Sequence, residues 1–206
     1  MSLPTSADAL YRNGRIKFPP GALQGLAFSS ALVDLLEERG LPLLSKDDAV
    51  LGVVFQTSDV ARVVEASKRR FLDIGCVVWE PERLRIGVEL ESEAMYAIDL
   101  AVDAEPSFVN TDLRTLLAFL TGFQGFFERA RQGDAVSVMT QDQARERLAA
   151  LRRGEVRPTA TPRAQFDRTA ELSKMKIDFE RKDPTAFSDE ESWWNRIFEQ
   201  AEDGLI

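Results

Sequence analysis

The stretch Phe108–Arg131, FVNTDLRTLLAFLTGFQGFFERAR, decides the fold. Asn110 or Thr111 can accept a hydrogen bond from an orphan N–H of a first helical turn. Asp112 sits where the helix dipole favours a negative charge. Leu113, Leu116, Leu117, Leu120, Phe123 and Phe127 then recur at three- and four-residue steps, which places them on one helical face. Phe119 and Phe126 widen that face, so the helix expects cover on more than one side. Arg129 and Arg131 suit a last turn, where free carbonyls favour cations, and Gly133 can end it. A helix this apolar needs a sheet beneath it and further helices around it.

The sheet lies just upstream. From Phe71 to Val102 the period shortens from 3.6 to 2. Leu72, Ile74, Cys76 and Val78 alternate with Asp73, Gly75, Val77 and Trp79. Glu80–Arg83 reads as a turn. Ile86, Val88 and Leu90 alternate with Gly87, Glu89 and Glu91, and Ser92-Glu93 is a tight connection. Tyr96, Ile98, Leu100 and Val102 face one way while Ala97 and Asp99 face the other. Three antiparallel strands follow, apolar on one face and mostly polar on the other. The helix that comes next can roof the apolar face.

Further out, residues 1–25 hold Pro4, Pro19 and Pro20 and read as an irregular arm. Ser29 or Ser30 caps a short helix to Arg39, with Gly40 as its stop and Pro42 preventing continuation. Ala49–Gln56 reads as a short strand. Thr57-Ser58-Asp59 can cap a helix carrying Val60, Val63 and Val64 up to about Arg69. Gln141–Arg153 reads as a helix with Ala144, Leu148 and Leu151 inside, and 155–162 (EVRPTATP) as an internal linker. Arg163–Arg181 admits a helix or a strand, and Asp183-Pro184 stops it. Ser188 with Glu191 forms a capping box for a last helix. Trp194, Ile197, Phe198 and Ala201 make its stripe, Trp193 lies beside it, and Gly204 ends it. The whole chain, 1–206, is read as one α+β domain.

Composition narrows the chemistry. The 206 residues are 44% hydrophobic and carry a net charge of −8. An acidic chain repels phosphate backbones, so direct nucleic-acid binding is not expected. The apolar runs are too short to span a bilayer, which takes about 20 residues. No secretory leader is read at the N-terminus, and the lone Cys76 suits a reducing cytoplasm. With no histidine, the side chain most used as a neutral-pH proton carrier and metal ligand is missing. Glu89, Glu91 and Glu93 could face one hard cation, but neighbours on one strand face stand about 7 Å apart, too far to hold it unaided. Cys76, without a histidine to activate it, reads as a buried hydrophobe. No catalytic, cofactor or metal residue is assigned. What remains is surface: Glu89, Glu91, Asp99, Asp103 and Glu105 on or beside the outward sheet face. Such an acid face can dock a basic partner, speeding encounter and rejecting wrong ones.

Three stretches together resemble a known family: Glu38-Arg39-Gly40-Leu41-Pro42 ending a helix; the sheet pattern followed by Phe108-Val109-Asn110-Thr111; and Asp183-Pro184-Thr185-Ala186-Phe187 before Trp193-Trp194. In that order they are similar to the SUKH superfamily of immunity proteins, in particular its fourth group, over roughly 29–206. The resemblance implies an α+β fold, a small antiparallel sheet packed by several helices. It also implies a non-enzymatic bacterial protein that binds and neutralises a toxin domain, often a nuclease or deaminase. No site residue carries over with it. The partner-binding residues expected here, Glu89, Glu91, Asp99 and Asp103, come from the charge pattern alone. A general interaction module of the same fold, with no toxin, is the alternative. An enzyme working through carboxylates alone is the third reading.

Overall fold

The computed structural model describes residues 9–102, 104–134 and 166–206, together with 145–146, 149–150 and 153. Near the start, β1 (Arg15–Ile16) pairs antiparallel with β2 (Leu41–Pro42). Helix α1 (Ser30–Val33) runs on as a wider π-helical turn, Asp34–Arg39. Ser29 caps it by accepting from the Leu32 N–H, and Gly40 ends it in a left-handed conformation (φ 80°). Leu10, Phe18 and Leu23 are buried, so this arm lies on the core.

The main sheet has six strands. β5 (Arg69–Val77), β6 (Leu84–Glu89) and β7 (Met95–Asp99) are the antiparallel meander expected from the alternation. β8 (Ser107–Asn110) continues it beyond β7. On the other edge the long β5 takes two partners: β4 (Val63–Ala66) beside its first half and β3 (Val53–Phe55) beside its second. Helix α2 spans Leu113–Asp134, α3 spans Arg168–Lys182, a 3-10 turn covers Pro184–Phe187, and α4 spans Trp193–Glu202. Leu72, Ile74, Ile86, Val88 and Met95 from the sheet share one core with Leu113, Leu116, Leu120 and Phe123 of α2 and with Trp194 and Phe198 of α4. The fold is thus α+β, an antiparallel sheet roofed by helices.

Several local expectations are corrected. Residues 57–69 form no helix. Val63–Ala66 is a strand, turned back onto β5 by Ser67 and Lys68, both left-handed (φ 48° and 64°). The long helix starts at Leu113, and its first turn is capped by Asp112, whose Oδ1 accepts from the Thr115 N–H at 2.7 Å. Phe108–Asn110 belongs to the sheet instead, because β7 offers it an open edge. The last helix begins a turn later than Ser188: Ser192 caps it, accepting from the Asn195 N–H. Within the stretch read as helix or strand, Arg168–Lys182 is a helix, capped by Asp167. The helix read over 141–153 and the linker 155–162 lie largely outside the described residues, although 145–146 and 149–150 are helical.

The sheet faces also differ from simple alternation. A bulge between Asp73 and Gly75 resets the pleat. Val77 joins the helix-covered core while Cys76 stands opposite Arg85 on the outer side. Gly75 lets β3 approach closely: a Cβ there would lie 2.4 Å from the Val54 carbonyl oxygen. Tyr96 and Ile98 turn away from the helices and join Phe71 and Val64 in a second, outer cluster. Leu100 and Val102 lie beyond the strand and are exposed.

Candidate functional site

The outer face of the sheet is a built surface. Phe71, Tyr96 and Phe108 form an edge-to-face row with centroids 5.4 and 5.5 Å apart. The Arg69 guanidinium lies 4.1 Å over the Tyr96 ring and donates to Glu89. That bond, with one from the Ser92 hydroxyl, holds the Glu89 carboxyl below its usual range. Further along, Asp73 and Arg85 form a buried ion pair. Arg85 Nε reaches the two carboxylate oxygens at 3.1 and 3.0 Å, and Nη2 donates at 2.8 Å. Nη1 also donates to the Pro81 carbonyl (2.8 Å) and Nη2 to Gln56 Oε1 (3.0 Å), so each guanidinium nitrogen of the buried cation has an acceptor. Gln56 also donates to Cys76 Sγ at 3.4 Å, and burial pushes the thiol pKa up. Sequence alternation missed this network. The available signal was an Asp and an Arg, each flanked on both sides by apolar residues in its strand.

Of the four carboxylates expected to meet a partner, the three that are described stand apart. Glu89 is buried with Arg69. Glu91 is exposed on the β6–β7 turn. Asp99, at the opposite end of the sheet, accepts a two-pronged bond from Arg83 (2.8 and 2.6 Å), which lowers its pKa. Asp103 lies outside the described residues. Glu93, the third member of the possible cation triad, turns to Ser29 and accepts from its N–H and hydroxyl. The three glutamates therefore do not converge. Among the described residues no group of three or more His, Cys, Asp or Glu side chains could hold a metal ion. A cleft of about 180 Å³ beside α1 holds Glu93 and Asp112, both engaged in capping bonds. A groove of about 270 Å³ between α2 and α3 is bridged by Arg129 and Glu171 at 3.0 Å.

Two of the three stretches that carried the resemblance meet in space. Asp183 Oδ2 accepts from Asn110 Nδ2 (3.0 Å) and from the Thr111 N–H (2.9 Å). Trp194 Nε1 donates to the Val109 carbonyl (3.0 Å) and to Asn110 Oδ1 (3.2 Å). All of Asn110, Asp183 and Trp194 are fully buried. These residues are a latch between β8 and the C-terminal helices. They hold the fold and leave recognition to the surface.

In this α+β scaffold Asn110, Asp183 and Trp194 serve the packing, and the cleft carboxylates Glu93 and Asp112 serve the fold's own bonds. The chain belongs to the SUKH-4 immunity protein family, whose model matches residues 6–200. No curated protein and no solved structure matches it. Among the described residues no helix is long and apolar enough to cross a membrane.

Proposed function

We propose that this protein neutralises a cognate toxin domain, a nuclease or deaminase, by binding it and covering its working surface, with no chemistry of its own. Membership of an immunity family over 6–200 carries the reading. The net charge of −8 supports a basic toxin as partner, since such a domain must itself attract phosphate. The protein acts as one domain in the cytoplasm of the cell it protects, without touching nucleic acid or membrane.

The contact surface in this reading is the outward sheet face and its acidic rim, Glu89, Glu91, Asp99 and Asp103. Glu89 and Asp99 keep their arginine partners, so they contribute fixed geometry more than free charge. The test is to purify the toxin-like domain encoded beside this gene, titrate it with the protein, and assay its activity. Stoichiometric binding with loss of toxin activity is expected. Absence of both binding and protection would refute the reading.

A further inference from the structure

Trp79 lies in the turn between β5 and β6 and is 67% exposed. Leaving so large an apolar side chain in water forgoes about 2–3 kcal/mol of burial. The ring is nevertheless firmly seated. A Cβ built on Gly52 would fall 2.4 to 2.7 Å from three carbons of the indole, so the ring edge rests directly on that glycine's backbone. Gly52 is left-handed (φ 74°), and its carbonyl accepts from the Val78 N–H at 2.8 Å. The turn is pinned as well: Glu80 N–H donates to Val77, and the Arg83 and Leu84 N–H groups donate to the Glu80 carbonyl (3.0 and 2.8 Å). An indole held this way loses little freedom when a partner covers it, which is what makes aromatic anchors effective.

Its surroundings fit a partner of definite character. Asp99 pairs with Leu84, and the Leu100 N–H donates to the Arg83 carbonyl, so Leu100 and Val102 emerge at the same end of the sheet. They are 38% and 49% exposed. From Gly52 to Leu100 is three strand spacings, about 14 Å. Arg83, the exposed cation of this turn, is held between Asp99 (2.6 Å) and Glu80 (3.1 Å). With Glu82 also in the turn, three carboxylates, Glu80, Glu82 and Asp99, flank these apolar groups, and Arg85, which donates to the Pro81 carbonyl beneath, is itself paired with Asp73.

We propose that this end of the sheet is the docking surface for the toxin domain. Trp79 enters an apolar recess of the partner while Glu80, Glu82 and Asp99 face its basic residues. The inference rests on the immunity reading above and sharpens it, since Asp99 belongs to both surfaces. The occupant is a basic protein because the exposed apolar groups sit inside a negative rim.

The experiment titrates the same purified toxin domain with the wild-type protein, Trp79→Ala, Trp79→Phe and the Glu80→Lys/Glu82→Lys double variant, with a melting curve for each. Trp79→Ala is expected to weaken binding at least thirtyfold, the loss of a central aromatic anchor. Trp79→Phe should retain part of the affinity, and the double variant should slow association at low salt. Melting temperatures should stay close to wild type, because Trp79 is two-thirds exposed and Glu80 and Glu82 are surface residues whose one ion pair, Glu80 with Arg83, is solvated. Wild-type binding with Trp79→Ala within threefold of it overturns this docking site and leaves the immunity reading standing. Should Trp79→Ala melt early, protection of the 78–83 amides on toxin binding decides: protection supports the site, and unchanged exchange overturns it. Failure of the wild-type protein to bind overturns both.

Discussion

Asp183 ties the C-terminal helices to the sheet through a single carboxylate oxygen, while its other oxygen has no hydrogen-bond partner among the described residues. Removing the acceptor strands the buried Asn110 amide and frees the part-buried Thr111 N–H, and a buried donor left unmade costs about 1–3 kcal/mol. Asp183→Ala should therefore lose about 2–4 kcal/mol in denaturant titration. Asp183→Asn keeps one acceptor oxygen and should stay close to wild type. Glu89 makes a different prediction. Its carboxyl, bonded by Arg69, titrates below the ordinary value of 4.5. A depressed folded-state pKa stabilises the fold above the unfolded value, and the gain is lost as pH falls through the folded one. Melting temperatures from about pH 5 to pH 3 should fall less steeply for Glu89→Gln than for wild type. An identical slope would show that the pair adds nothing. Both residues were visible in the sequence, but their partners were not. Nothing local pairs Asp183 with Asn110, 73 positions away.

Elements were legible where one pattern dominated. Leu113, Leu116, Leu120 and Phe123 lie on the buried face of α2 as their spacing required, and Trp194, Ile197, Phe198 and Ala201 do so on α4. The strand Val63–Ala66 was misread because Thr57-Ser58-Asp59 imitates a helix cap, and because Ser67-Lys68 turns through left-handed conformations without a glycine to announce it. Helix packing gives the element-scale prediction. A Cβ on Gly122 would come within 2.7 Å of the Phe179 ring. That ring is stacked on Phe119 at 3.8 Å and cannot easily yield. Alanine gains about 1 kcal/mol in helix propensity, but overpacking costs about 1–3 kcal/mol. Gly122→Ala should thus be neutral to destabilising by about 2 kcal/mol in chemical denaturation. A clear stabilisation would mean that α2 and α3 can move apart freely.

For the whole molecule, charge governs encounter. With a net charge of −8, the proposed docking to a basic toxin should associate at a rate that falls steeply between low and physiological salt, while dissociation changes little. Stopped-flow mixing with the toxin domain across a salt series reads this directly. A rate indifferent to salt would point to a partner recognised by shape alone.

Hydropathy period and caps, which are local properties, were enough to determine an α+β chain with a β5–β7 meander, a long roofing helix and an aromatic C-terminal helix. They also determined an acidic protein without histidine. Tertiary structure alone decided which carboxylates are free. Asp73 and Glu89 look solvated by alternation, yet both are buried and paired with arginines from neighbouring strands. It alone set Trp79 on Gly52 in the open. The reason is common to these cases: a strand's own residues specify its alternation, but the face that becomes interior depends on what distant segments bring to it.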